Sequence, residues 1–271
     1  MIVTTALLNL LMAVIYMAIG TMIAMDLERA IRRRGWSHFG VAWLSIMYTC
    51  GAHHLVHGIH VLAEGRQVGP ADLVAVAMGI PAGGLWALLR IEASRGGRGD
   101  RYVRGTPTWL RVVAGAHIVA AGATLVVGLR LLTGATDLDT RLIPNILLVG
   151  LYLGIGAALM RGQLHNRREH GGWSLSGLSL MMIFPTCAVM HASYVVYAGS
   201  ALFAPDFHGL WVDWLGVPAA LYFFWVVRGL ETGTVKDWNE RFESIEDLGD
   251  RAAASATDAA PDGPVLEEAI R

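Results

Sequence analysis

Residues 48–61 read YTCGAHHLVHGIHV, and residues 185–198 read PTCAVMHASYVVYA. Each stretch holds a Thr-Cys-x-x-x-His motif: Thr49, Cys50 and His54 in the first, Thr186, Cys187 and His191 in the second. The two copies are 137 residues apart, and that offset organises the chain. Outward from the motif, Gly35-Trp36-Ser37 matches Gly172-Trp173-Ser174, Gly40 matches Gly177, and Leu73, Gly79, Pro81 and Ala82 match Leu210, Gly216, Pro218 and Ala219. Further back the offset is 136: Asn9, Tyr16, Ile19 and Gly20 match Asn145, Tyr152, Ile155 and Gly156. Small apolar residues coincide by chance; matched Asn, Tyr, Trp, Cys, His and Pro do not. The chain therefore reads as an internal duplication.

The repeated matter is oily. Of 271 residues, 54% are hydrophobic and 16% charged, well under the roughly 25% charge of a soluble domain. That balance excludes a disordered chain, a coiled coil and a disulfide scaffold, and two cysteines inside apolar runs make no disulfide framework. Seven apolar segments reach the ~20 residues a bilayer needs: 2–25, 38–62, 71–92, 109–132, 142–161, 174–201 and 209–229. The expected class is all-α, a polytopic membrane protein of seven transmembrane helices.

Charge orients the spans. The first connection carries Arg29, Arg32, Arg33 and Arg34, the third Arg95, Arg98, Arg101 and Arg104, and the fifth Arg161, Arg167 and Arg168. The even connections are nearly free of basic residues, so the positive-inside rule puts the N-terminus outside and the C-terminus in the cytoplasm of a multi-pass cell-membrane protein. Residues 230–271 hold 11 acidic and 4 basic residues. They read as an acidic, mostly disordered cytoplasmic tail, with a short amphipathic helix expected over 237–248.

Three helices reverse the chain's side of the membrane and one more restores it. The expected layout is thus 3+1+3: a three-helix repeat at 1–95, a linking helix within 96–136, and a second repeat at 137–229. Both repeats enter from outside and lie parallel, related by a pseudo-two-fold axis along the membrane normal.

At about 100° per residue, Cys50, His53, His54, His57 and His60 fall within a sector of about 120° on the second span. Polar groups at that depth are costly unless partnered, and they face the bundle interior. Cys50, His54, Cys187 and His191 form the expected metal set. Thiolate with imidazole is a soft donor set that suits copper(I), then zinc. Zinc wants four ligands, and His53, His57 or His117 would complete them. Paired imidazoles, His54 or His57 with His117 or His191, would instead hold haem b for electron transfer. His60, toward the outer face, is a further candidate. A hydrolase reading lacks a general acid or base, because the only buried carboxylates, Asp72 and Asp213, stand near outer helix ends. An enzyme is therefore the less favoured reading.

The Cys-x-x-x-His motif resembles the copper-ligating motif of the ethylene receptors' second transmembrane helix. The first span agrees: the family's polar residue seven positions before a Tyr, and Ile three after it, fall at Asn9, Tyr16 and Ile19, and again at Asn145, Tyr152 and Ile155. The resemblance covers about residues 5–92 and 142–229. It implies copper(I) at Cys50/His54 and Cys187/His191, a ligand pocket at Asn9, Tyr16, Asn145 and Tyr152, and a sensor that signals to a cytoplasmic signalling or redox partner. A tandem copy would supply within one chain the dimer such domains form, and a further homo-oligomer is left open. No feature points to nucleic acid. The chain departs from the family where Asn replaces Asp in both copies, Gly20 and Gly156 replace Pro, and the third span lacks the family's Lys. No histidine kinase sequence follows. Copper binding thus carries over further than ethylene binding, and phosphotransfer does not carry over.

Overall fold

The computed structural model describes residues 1–64, 68–106, 108–134, 142–198 and 211–237. Among them are seven helices: α1 (Ile2–Arg34), α2 (His38–Glu64), α3 (Pro70–Ser94), α4 (Thr108–Gly134), α5 (Ile143–His170), α6 (Leu175–Ala198) and α7 (Asp213–Glu231). The protein is a helical membrane protein. Four helices are long and apolar enough to cross a bilayer: α1, α3, α5 and α6. Large apolar side chains such as Val14, Leu88, Val119 and Leu221 stand exposed on the bundle's outside, where lipid would cover them. In α2, His53, His54 and His57 lower the mean hydropathy, yet all three are buried inside the bundle rather than facing its surroundings.

Helix packing follows a pattern. α1 packs on α2 and α3, and α5 packs on α6 and α7. The third helix of each set crosses over: α3 packs on α6, and α7 packs on α2. α4 adds a layer chiefly on α6. With α3, α4 and α5 around it, α6 has 78% of its most apolar window buried, against 39–44% for the other three long apolar helices. Small residues set the closest approach. A Cβ at Gly58 would lie 3.2 Å from the Ala6 carbonyl oxygen, and one at Gly51 would lie 3.1 Å from the Met17 side chain, so α1 and α2 meet backbone to backbone.

At one end of the bundle two carboxylates clasp the halves together. Ser37 caps α2, accepting the Gly40 amide at 2.9 Å, and it donates to Asp237 at 3.1 Å. Asp237 also accepts the Phe39 amide at 2.7 Å. Ser174 caps α6 in the same way, accepting Gly177 N–H at 3.0 Å and donating to Asp100 at 2.6 Å, while Asp100 accepts the Ser176 amide at 2.9 Å. Each aspartate follows the third helix of one set and closes the N-terminus of the second helix of the other, where free amides favour an anion. Burial alone would raise the Asp100 carboxyl, but hydrogen bonds from Ser174, Ser176 and Arg101 outweigh it and hold it below the usual range.

The fold therefore runs on to Asp237, past the boundary at 229 expected from hydropathy; Val235 is buried against Gly229. A short antiparallel ribbon, absent from the all-helical expectation, joins β1 (Tyr102–Arg104) to β2 (Gly172–Ser174). It forms because the connection after α3 runs beside Gly172, whose missing Cβ lets the Val103 carbonyl approach. The expected helix over 237–248, the rest of the acidic tail, residues 135–141 and most of the sixth connection lie outside the described residues.

Candidate metal centre

The site is assembled from α1, α2, α5, α6 and α7. Cys50 on α2 and Cys187 on α6 are both free and buried. Each is backed by a tyrosine from the other half: Tyr152 Oη is 3.3 Å from Cys50 Sγ, and Tyr16 Oη is 3.9 Å from Cys187 Sγ. Cys50, Cys187, His53, His54, His191, Tyr152 and Asp213 line one cavity of about 10 Å³, space for one water-sized body.

The two asparagines fix the two motif histidines. Asn9 donates its amide N–H to the Thr5 carbonyl at 2.8 Å, so its Oδ1 is the atom facing His54 Nδ1 at 2.7 Å. An amide oxygen only accepts, so Nδ1 carries the proton and Nε2 keeps its lone pair. Asn145 repeats the device: it donates to Asp213 Oδ2 at 3.0 Å and presents Oδ1 to His191 Nδ1 at 2.7 Å. An imidazole so held is a fixed ligand with its partner on the far nitrogen, the arrangement metal-binding histidines use. Tyr16 meets the His54 ring edge-on at 5.5 Å, and Tyr152 lies 5.6 Å from the His191 ring.

One carboxylate joins them. Asp213 Oδ1 lies 2.5 Å from His53 Nδ1, and the His53 ring lies 4.8 Å from the His191 ring. His53, His191 and Asp213 each place a ligand atom within 4.8 Å of the others, a buried group that could hold a metal ion. His53 Nε2 is buried with no hydrogen-bond partner. Asp72, by contrast, is used up in structure: it accepts the Gly69 amide at 2.8 Å at the start of α3 and Ser193 Oγ at 2.8 Å from α6.

Of the residues singled out in sequence, Cys50, His53, His54, Cys187, His191, Asn9, Tyr16, Asn145 and Tyr152 are thus brought together. His57, His60 and His117 do not line the cavity. His57 is one turn along, its ring 6.1 Å from His53 and 5.2 Å from Tyr194. His117 is buried on α4. Asp213 is the residue sequence reasoning set aside as a helix-end group. Its signal was an acid at the mouth of a span, on the side where the connections hold almost no basic partner.

On the side of the clasp, an aromatic cluster packs behind the cavity-lining Tyr152. The Trp43 ring lies 4.8 Å from Trp86 and 4.6 Å from Phe223, and Phe184 stacks between Trp43, Phe223 and Tyr152. The donors therefore have buried apolar rings near them, a setting in which electrostatic interactions are strong. A scan of protein-family models and searches of curated proteins and of solved structures each return no match to this chain.

Proposed function

We propose that this chain is an integral membrane copper(I)-binding module of the ethylene-receptor sensor type. It is built as two parallel three-helix repeats joined by α4, with the clasp end in the cytoplasm, and it senses a small ligand or the metal itself. The observation that carries the reading is the pair of buried thiols, Cys50 and Cys187, one from each repeat, that line one small cavity with two oriented imidazoles. Two sulfurs and two imidazoles lining one buried cavity match the low coordination number and soft donors copper(I) takes. The reciprocal packing of α3 on α6 and α7 on α2 supports the two-repeat layout. Signal transfer would run along α2, whose middle carries Cys50, His53 and His54 and whose first turn is held by Asp237, where the acidic segment begins. A porphyrin needs a pocket of hundreds of Å³, so a cavity of about 10 Å³ speaks for an ion rather than haem.

Zinc is the second reading, favoured by the harder His53/His191/Asp213 group. Metal analysis of the purified chain decides between them. We expect near-stoichiometric copper with no visible absorption and no Soret band, lost when Cys50→Ser and Cys187→Ser are combined. Zinc retained in full by that double variant would overturn the copper reading.

A further inference from the structure

We propose that Cys50 and Cys187 are also a redox-modification site: a small two-electron oxidant of the hydroperoxide class joins them as a disulfide bridging the two halves. They are the only cysteines in the chain, they come from different helices, α2 and α6, and both are free and buried. Cross-links need short approach and facing side chains, and here the thiols face one shared cavity. At about 10 Å³ that cavity has room for one water-sized body, so it shuts out a tripeptide thiol and leaves a way in only to the smallest oxidants.

The chemistry balances. Cys50 Sγ attacks one peroxide oxygen, the O–O bond breaks, and the leaving hydroxide takes the thiol proton as water, leaving a sulfenic acid. Cys187 Sγ then attacks that sulfur and the S–O bond breaks. The departing hydroxide takes the second thiol proton as another water. The two sulfurs together lose two electrons and the peroxide gains them. Tyr152, beside Cys50 at 3.3 Å, is placed to donate a hydrogen bond to the leaving oxygen. Without a second thiol in reach, the sulfenic acid would persist or oxidise further.

The cross-link does not depend on the metal reading. Its consequence does: a disulfide removes both soft donors at once, so oxidation would discharge copper and reduction would restore the site.

The test uses the full chain in detergent, stripped of metal by a copper(I) chelator and titrated with hydrogen peroxide. After quenching and unfolding in alkylating agent, mass spectrometry reads the thiols. We expect both to disappear together, a linked Cys50–Cys187 peptide to appear, and reductant to reverse it. With Cys187→Ser, Cys50 should instead trap a sulfenic-acid reagent. The proposal is overturned if the wild-type thiols stay alkylatable, or if each reaches sulfinic acid without a link. The copper arm separates the two ideas. A link in a chain that never holds copper keeps this inference and ends the copper reading; copper held without any link does the reverse.

Discussion

Asn9 meets His54 at 2.7 Å, and Asn145 meets His191 at 2.7 Å; Tyr16 and Tyr152 lie 5.5 and 5.6 Å from those rings. One residue away the likeness ends. The partners His53 and Asp213 correspond, at the same offset, to Met190 and Val76, both buried and apolar. Two copies of the sequence thus keep the same oriented imidazole and the same thiol, while the ionisable pair, His53 from one copy and Asp213 from the other, has no symmetric counterpart. Physical cost explains the division. A neutral Asn–His bond satisfies both partners and can be repeated freely. A buried carboxylate must be matched by a partner of its own, and a second set near the first would add repulsion.

Exchange of that pair between halves is the strongest way to break the comparison. Asp213→Ala leaves His53 and Asn145 each short of a partner. Removing one member of a buried pair costs about 3–5 kcal/mol, so unfolding in detergent should shift far toward lower temperature. Val76→Asp should cost a similar amount, because Met190 offers the new acid nothing. Combining Val76→Asp with Met190→His should recover a large share of that loss. An unfolding midpoint for the double variant no better than for Val76→Asp alone would mean that the halves are not equivalent at these positions.

The sequence made this comparison visible in part. The two motifs are identities 137 residues apart and the paired Asn and Tyr identities 136 apart, and all of their Cys, His, Asn and Tyr side chains reach the site or a residue that lines it. Asp213 was harder to place, because a lone acid at a helix end looks the same whether it faces water or a buried histidine. Only packing of α7 on α2 decides it. The clasp was missed for another reason. Ser37 and Ser174 stand in the repeat, but their partners Asp100 and Asp237, at the same 137-residue offset, lie beyond the apolar runs, where hydropathy no longer says which chain segment belongs to the fold. The two-stranded ribbon left no alternation to read, since three residues per strand are too few to show a period.

Metal affinity sharpens the comparison further. Loss of a group that orients a ligand weakens binding about 10–100-fold. Asn9→Leu should fall at the lower end, since Asn9 spends its amide on the backbone of its own helix. Asn145→Leu should fall at the upper end, because it also frees Asp213, and with it the position of His53. Equal losses in copper competition titrations would show that the carboxylate plays no part in the metal site.

The clasp should respond more weakly but in the same paired manner. Replacing a helix-capping group costs about 1 kcal/mol, so Asp100→Asn and Asp237→Asn should each lower stability modestly and by similar amounts near neutral pH. Acid brings wild type and the Asp100 variant together. The Asp100 carboxyl is held below its ordinary range in the folded chain, so its contribution is complete above the ordinary carboxylate range. It drains away as pH falls through the depressed folded value. The gap between wild type and Asp100→Asn should therefore be widest near neutrality and close on acidification. The check is the unfolding midpoint of both proteins across that range. A gap that stays constant, or widens in acid, would show that Ser174 and the first turn of α6 hold together without the charge of Asp100, and that the two clasps, though alike in sequence, are held by different forces.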